Sequence, residues 1–208
     1  MKILIVAATA PEIAESISFL EEKGIDYLIT GVGMVATAFA LGQRLAQQPY
    51  DLLLNVGIAG TFDQQESLGR LFRIEEDQLF QLGAENEQAF ISIEELGFGE
   101  SRFFAHYKGL PLPATYLNLP ATSAITVNKV HGCAAHIAQV SSQLAPGSLE
   151  SMEGAAFFYA AKQAQMPAIQ VRAISNYIES RNTAHWNIPK ALLNLNQWLQ
   201  EFCRQQAS

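Results

Sequence analysis

Two glutamates stand at points where their carboxylates could do chemistry. Glu12 ends the segment Ala8-Thr-Ala-Pro-Glu12, and Glu153 lies in Ser151-Met-Glu-Gly-Ala-Ala156, at the start of a largely apolar helical pattern. An ionised carboxylate only accepts hydrogen bonds, so it can take a proton from water or bind hydroxyl groups. Structural explanations compete with this chemistry. Thr9 and Glu12 have the spacing of a capping box, and an acid at a helix start favours the helix dipole.

Two further segments combine glycine with polar residues. They are Asn55-Val-Gly-Ile-Ala-Gly60 and Val171-Arg-Ala-Ile-Ser-Asn176. All four segments lie where a predicted strand ends or a predicted helix begins, and in an open α/β sheet ligands bind at that edge. We therefore expect the four segments to form one site. The competing explanations are a surface ion pair for Arg172 and a strand-terminating turn residue for Asn176.

Apolar runs alternate with helical patterns along most of the chain. The predicted strands are Lys2–Ala8, Tyr27–Thr30, Asp51–Gly57, Ala121–Val127 and Pro167–Ser175. The predicted helices are Pro11–Lys23, Val35–Gln47, Ala134–Leu144, Met152–Gln165 and Leu192–Gln205. A glycine-bearing turn is expected after Gly57, and residues 68–119 give only short strand-like pieces. This alternation predicts one domain over residues 1–208. Its fold would be a three-layer α/β/α sandwich with a mixed, partly barrel-like central sheet.

The composition restricts the classes of partner. The chain has 208 residues, 49% of them hydrophobic, and a formal net charge of −7. That acidic balance disfavours nucleic acid as a partner, and the apolar run at the N-terminus is too short for a transmembrane span. The cysteines lie far apart, and the histidines show no metal-ligand spacing with them. We therefore expect a cytoplasmic protein without a metal, a membrane or a nucleic-acid partner.

One motif favours a different class of protein. Gly31-Val-Gly-Met-Val-Ala36 matches the fingerprint G-x-G-x-x-A of dinucleotide-binding enzymes, between a strand and a helix. This fingerprint normally follows the first strand, whereas here it follows the second. The next strand also ends in Asn-Val-Gly, without an acidic residue that could hold a ribose. A nicotinamide-dependent oxidoreductase is thus the alternative, and tight-turn glycines explain the motif equally well.

The order and spacing of the four segments resemble those of the purine nucleoside phosphorylase and nucleosidase superfamily, and of its nucleosidase branch above all. The resemblance runs from Met1 to Asn176 and implies a role for several residues. Glu12 would activate water, Met152 would pack on the ribose, and Glu153 would bind its 2′- and 3′-hydroxyls. Arg172 would organise the water-binding end, and Ser175 would lie near the base. It also implies a small-molecule purine nucleoside as partner, no cofactor, and a homo-oligomer (a dimer or higher).

Asn55 and Ile58 bear on the identity of the nucleophile. Phosphorylases of this superfamily tend to carry Arg where this chain has Asn55, and no Lys or Arg stands between Lys2 and Lys23. Phosphate needs several charge-assisted donors, so their absence favours water. Ile58 stands where nucleosidases often have Ser. That departure concerns the placement of the water, and it leaves open a protein that binds nucleosides without catalysis.

Asn176 bears on the base. Adenine-specific nucleosidases carry Asp at this position, because a carboxylate accepts from both N7–H and the 6-amino group. A side-chain amide offers one acceptor and one donor, which match N7–H and O6 of hypoxanthine. A hydrolase of 6-oxopurine nucleosides resembles the futalosine hydrolases, which release hypoxanthine in menaquinone biosynthesis. A methylthioadenosine/adenosylhomocysteine-type nucleosidase is the alternative among hydrolases. The sequence does not fix the 5′-substituent.

Overall fold

The computed structural model describes residues 1–87, 89–107, 109–180 and 182–206. Its strands are β1 Ile3–Ala7, β2 Asp26–Ile29, β3 Leu52–Thr61, β4 Leu71–Leu79, β5 Gly83–Asn86, β6 Ala89–Ser92, β7 Arg102–Phe104, β8 Ala121–Thr126, β9 Leu149–Ser151 and β10 Ala168–Tyr177. Its α-helices are α1 Ala10–Ile13, α2 Ile17–Glu22, α3 Met34–Gln47, α4 Ala114–Leu117, α5 Ala134–Ser141, α6 Gly154–Gln163 and α7 Ile188–Gln206.

The central sheet is mixed and partly closed. β2, β1 and β3 are parallel neighbours, and β10 pairs with β3 in parallel along almost its whole length. β10 is antiparallel to β4, β4 is parallel to β8, and β8 is parallel to β9. β9 returns to the end of β3 in an antiparallel pair. The strands β3, β10, β4, β8 and β9 thus close into a barrel-like ring, as the sequence predicted.

Hydrophobic packing on both faces of the sheet builds the layers. β1 is buried throughout and its side chains alternate between the two faces. Ile5 packs with Ile13 of α1 and Phe202 of α7, whereas Leu4 packs with the helices α3 and α6. α7 is amphipathic, and its buried residues recur at helical spacing. The predicted three-layer α/β/α arrangement is confirmed.

Several predicted boundaries were wrong. β3 does not end at Gly57 in a turn; it continues through Gly60 to Thr61, because β10 pairs with it over that whole length. The predicted helix 11–23 is interrupted by a 3₁₀ turn at Ala14–Ser16. Asn196 of α7 binds there: its Nδ2 donates to the carbonyl of Glu12, and the Ser16 hydroxyl donates to its Oδ1.

The start of α6 also differs from its prediction. The helix begins at Gly154 and not at Met152, and Glu153 is its N-cap residue. The three residues before Met152 form the short strand β9, which the sequence did not indicate. No helix within the described ranges is both long enough and apolar enough to cross a lipid bilayer.

Candidate active site

The four segments that the sequence singled out converge at one end of the sheet. The amide of Ile58 in β3 donates to Oε1 of Glu12 (3.2 Å), and the Ser175 hydroxyl in β10 donates to the carbonyl of Ala59 (3.2 Å). Glu153 is close enough to Glu12 to raise the pKa of the Glu12 carboxyl. Segments that are distant in sequence thus meet because the parallel pairs β1–β3 and β3–β10 bring their ends together.

Glu12 is buried, and both oxygens of its carboxylate accept hydrogen bonds. Oε2 accepts from the Thr9 amide (2.8 Å) and the Thr9 hydroxyl (3.1 Å), while Oε1 accepts from Ile58. Burial raises the pKa of this carboxyl above its ordinary 4.5. The Arg172 guanidinium and the Thr9 and Ile58 amides oppose that rise. The predicted capping contact with Thr9 therefore coexists with a buried carboxylate, and a raised pKa makes that carboxylate a better base.

Arg172 lies inside β10 and is completely buried, so the alternative of a surface ion pair is wrong. Its Nη2 donates to Oδ1 of Asn55 (2.5 Å) and its Nε donates to Oε1 of Gln170 (2.8 Å), while Nη1 has no hydrogen-bond partner. A Cβ on Gly57 would overlap Nη1 and would lie 2.7 Å from Oε1 of Glu12. Gly57 is thus required because the guanidinium and the carboxylate both lie over its Cα.

A chain of buried hydrogen bonds continues from Arg172 to the start of α6. Gln170 donates to Oδ2 of Asp77 (3.1 Å), and the Thr126 hydroxyl donates to Oδ1 of Asp77 (2.8 Å). The same Thr126 oxygen accepts from the amide of Ala155 in the first turn of α6 (2.8 Å). Desolvation raises the pKa of Asp77 to about 6, against the hydrogen bonds and the Arg172 charge. This chain links the Arg172 end of the site to the helix that carries Glu153.

Glu153 is buried at the N-cap of α6. Its Oε1 accepts from the amide of Gly33 (3.0 Å), and its Oε2 accepts from the amide of Met152 (3.3 Å). The glycine-rich turn before α3 therefore supplies a donor to this carboxylate, which gives the dinucleotide-like motif a local structural explanation. The Met152 side chain is partly buried beside it.

Ser175 and Asn176 lie at a β-bulge near the end of β10, where the pairing with β3 shifts between Ile174 and Asn176. The Ser175 hydroxyl donates to Oδ1 of Asn176 (2.8 Å), and Nδ2 of Asn176 donates to the carbonyl of Tyr177 (3.1 Å). A Cβ on Gly60 would lie 3.2 Å from Nδ2 of Asn176. Asn176 is paired within β10 and is not a residue of a terminating turn, and it lines a small cavity.

The sequence did not identify Asp77 or Gln170 as part of this arrangement. Asp77 follows two other acids in β4, and plain alternation from Phe72 and Ile74 would bury Glu76 instead. The pairing of β4 with β8 shifts between Ile74 and Glu76, which places Asp77 in the interior. Gln170 lies in an apolar strand, and its spacing of two residues from Arg172 was the available signal.

The chain is similar to known proteins both in sequence and in fold. The family model of the phosphorylase superfamily matches residues 16–204. Futalosine hydrolase of Streptomyces coelicolor is 34% identical over 183 residues (83% of this chain, 75% of the relative), and that of Thermus thermophilus is 31% identical over 176 residues (83% and 78%). The solved structure of Helicobacter pylori futalosine hydrolase superposes with a TM-score of 0.78 at 14% identity (99% and 98% of the two chains).

The buried Asp77 carboxyl should make stability depend on pH. Its pKa is about 6 in the folded protein against an ordinary 3.8, so the folded state binds this proton more tightly than the unfolded chain. Its contribution to the free energy of unfolding should fall by about 2–3 kcal/mol as pH rises from about 4 to about 7. Urea unfolding of the native protein and of Asp77→Asn across this interval measures the difference. If the free energy of unfolding depended on pH in the same way in both proteins, the raised pKa would not belong to Asp77.

Proposed function

This chain belongs to the phosphorylase superfamily, and on that premise we propose that it hydrolyses the N-glycosidic bond of futalosine. The products are hypoxanthine and dehypoxanthine futalosine, and the reaction is a step of menaquinone biosynthesis. Curated relatives that carry the name futalosine hydrolase cover most of this chain at 31–34% identity. The predicted roles of Glu12, Glu153, Arg172 and Asn176 are part of the proposal.

The observation that carries the proposal is the Glu12–Arg172 arrangement over Gly57. A buried carboxylate with a raised pKa lies beside a buried guanidinium whose Nη1 has no hydrogen-bond partner. A water molecule between them would donate a proton to Glu12 and accept from Nη1 of Arg172. The water oxygen attacks the anomeric carbon while Glu12 takes its proton. The C1′–N9 bond breaks, and the departing base keeps the electron pair of that bond and gains a proton at N7 from solvent.

Glu153 supports the sugar side of the reaction. The Gly33 and Met152 amides hold its carboxylate at the N-cap of α6, so its orientation is fixed before substrate binds. The remaining lone pairs of its oxygens can accept from the 2′- and 3′-hydroxyls of a ribose. Its negative charge also stabilises the positive charge that develops on the ring in an oxocarbenium-like transition state.

Asn176 supports the choice of base. The Ser175 hydroxyl binds Oδ1, which fixes the orientation of the amide within the small cavity. One lone pair on Oδ1 and one N–H on Nδ2 remain to match N7–H and O6 of hypoxanthine. A methylthioadenosine/adenosylhomocysteine-type nucleosidase shares the fold but requires two acceptors at this point, so Asn176 favours the 6-oxopurine.

The proposal extends to assembly and location. Val32, Val35 and Phe39 expose apolar side chains in and before the first turns of α3, next to the Gly33 amide that binds Glu153. Exposed apolar groups that lie together support a homo-oligomer, a dimer or higher, with an interface close to the sugar site. Cys133 and Cys203 are both free thiols, which fits a reducing, cytoplasmic compartment.

The proposed nucleophile is tested by the product formed in phosphate buffer. Asn55 binds Arg172 and the carbonyl of Val6, and the first loop carries no basic residue that could bind phosphate. We expect turnover to be independent of phosphate and to release a free sugar hydroxyl at the anomeric position. Chromatography of the products with and without phosphate measures this. A sugar 1-phosphate as the main product would overturn the hydrolase assignment.

Glu12→Gln should remove the base and leave the fold largely intact, because an amide oxygen can still accept from Thr9. We expect kcat to fall by ~10²–10⁴, with little change in the free energy of unfolding. Glu15→Gln is the matched control, since Glu15 is exposed in the adjoining 3₁₀ turn, and it should retain full activity. Native turnover in Glu12→Gln would mean that Glu12 has only a capping role.

Asn176→Asp should move the preference from hypoxanthine toward adenine, because two acceptors then face two donors. The native protein should favour the hypoxanthine nucleoside by at least ~10-fold in kcat/KM, since adenine leaves a buried donor unpaired. Paired substrates with the same 5′-group measure the ratio. Asn128→Asp, an exposed change outside this cavity, should leave it unchanged. An unaltered ratio in Asn176→Asp would show that Asn176 does not read the base.

A further inference from the structure

Gly60 lies between two polar residues at the same level of the sheet. On one side it pairs with Asn176 of β10, and on the other side it pairs with Glu150 of β9. Paired residues on neighbouring strands project from the same face, and strands lie ~4.8 Å apart, so the two backbones are about 10 Å from each other. A Cβ on Gly60 would lie 2.8 Å from the Ile178 side chain and 3.2 Å from Nδ2 of Asn176, so only a glycine fits here between Asn176 and Glu150.

Glu150 is almost completely buried, and both oxygens of its carboxylate contact His131. The amide of His131 donates to its Oε1 (3.0 Å), and Nδ1 of the His131 ring contacts its Oε2. The histidine side chain is only 12% exposed, and an edge-to-face contact with Phe80 also holds the ring. His131 and Glu150 line the same cavity as Asn176, together with Val130 and Trp186.

The contact with Glu150 fixes the tautomer of the neutral imidazole. A carboxylate only accepts, so the ring proton resides on Nδ1 and Nε2 carries a lone pair. The pair therefore offers one further acceptor in the cavity that Asn176 also lines, on the other side of Gly60. A buried carboxylate placed only to fill space would not need a ring nitrogen as its partner, and an apolar residue would fill the space without the cost of desolvation.

We propose that the His131–Glu150 pair is a second reader of the purine: Nε2 of His131 accepts the N1–H of a 6-oxopurine whose N7 and O6 face Asn176. Hypoxanthine carries a proton at N1, whereas N1 of adenine is an acceptor. Adenine would therefore place two lone pairs against each other at His131. Glu150 acts through His131 and is a positioning residue. This inference rests on the proposed function, since it names a second determinant of the same base preference.

Three variants separate these roles. His131→Phe keeps a flat ring but removes the acceptor. Glu150→Gln keeps an acceptor for the His131 amide and presents an NH₂ group to Nδ1, which transfers the ring proton to Nε2 and turns the acceptor into a donor. His106→Phe is the matched control, because His106 is exposed and lies outside this cavity. Thermal unfolding of each variant shows whether it retains the fold.

Two measurements test the pair. The first is the ratio of kcat/KM for hypoxanthine and adenine nucleosides with the same 5′-group. The second is calorimetric binding of free hypoxanthine and free adenine, which does not depend on turnover. We expect His131→Phe and Glu150→Gln each to lower both preferences for hypoxanthine by roughly 10-fold, with the shift in Glu150→Gln including a gain for adenine. His106→Phe should match the native protein.

The outcomes distinguish the inference from the proposed function. A native protein that cleaves no purine nucleoside would overturn the proposed function. Weaker hypoxanthine binding by folded His131→Phe would still support the pair as a purine reader in that case. If folded His131→Phe and Glu150→Gln keep the native preference in both measurements, the inference is overturned and Asn176 alone reads the base. If either variant does not fold, His131→Gln takes its place in both measurements. It should keep part of the native preference for hypoxanthine, because the new side-chain oxygen is an acceptor. Loss of the whole preference in folded His131→Gln would overturn the inference.

Discussion

The burial of one charge organises this structure. Arg172 sits in a strand of the closed part of the sheet without any exposure, and a buried guanidinium is costly unless its N–H groups are paired. Its Nη2 donates to Asn55 of β3 and its Nε donates to Gln170 of β10. Glu12 faces the guanidinium over Gly57. Nη1, the nitrogen without a hydrogen-bond partner, is the one next to the Glu12 carboxylate. The buried guanidinium is thus a fixed, positively charged donor beside the Glu12 carboxylate.

The hydrogen bonds that satisfy Arg172 also tie together elements that are far apart in sequence. Asp77 receives bonds from Gln170 and Thr126, and Thr126 in turn receives the amide at the start of α6. Desolvation raises the pKa of Asp77 to about 6 in spite of these hydrogen bonds and of the Arg172 charge. A displacement of any member would move either the Arg172 guanidinium or the helix start that carries Glu153. The polar interior therefore sets the distance between the Glu12 and Glu153 carboxylates.

Closure of the sheet gives the site its two sides. β3 has β10 along one edge and, at its last residues, β9 along the other. Two glycines of β3 allow close packing: Gly57 accommodates Arg172 and Glu12, and Gly60 accommodates Ile178 and the amide of Asn176. An open sheet that ended at β3 would present only one of these sides. The barrel-like ring therefore places the proposed nucleophile end and the proposed base end along the same strand, β3.

The sequence by itself determined the alternation of strands and helices and the four segments that meet, because hydrophobic periodicity and local cap signals depend on neighbouring residues. It also identified the residues on which the proposed chemistry depends, Glu12, Glu153 and Asn176. Tertiary structure decided that β3 continues past Gly57, that the Asp77 side chain is buried, and that His131 pairs with Glu150. Each of these depends on the register against a strand distant in sequence, and a shift of one residue reverses which side chain is buried.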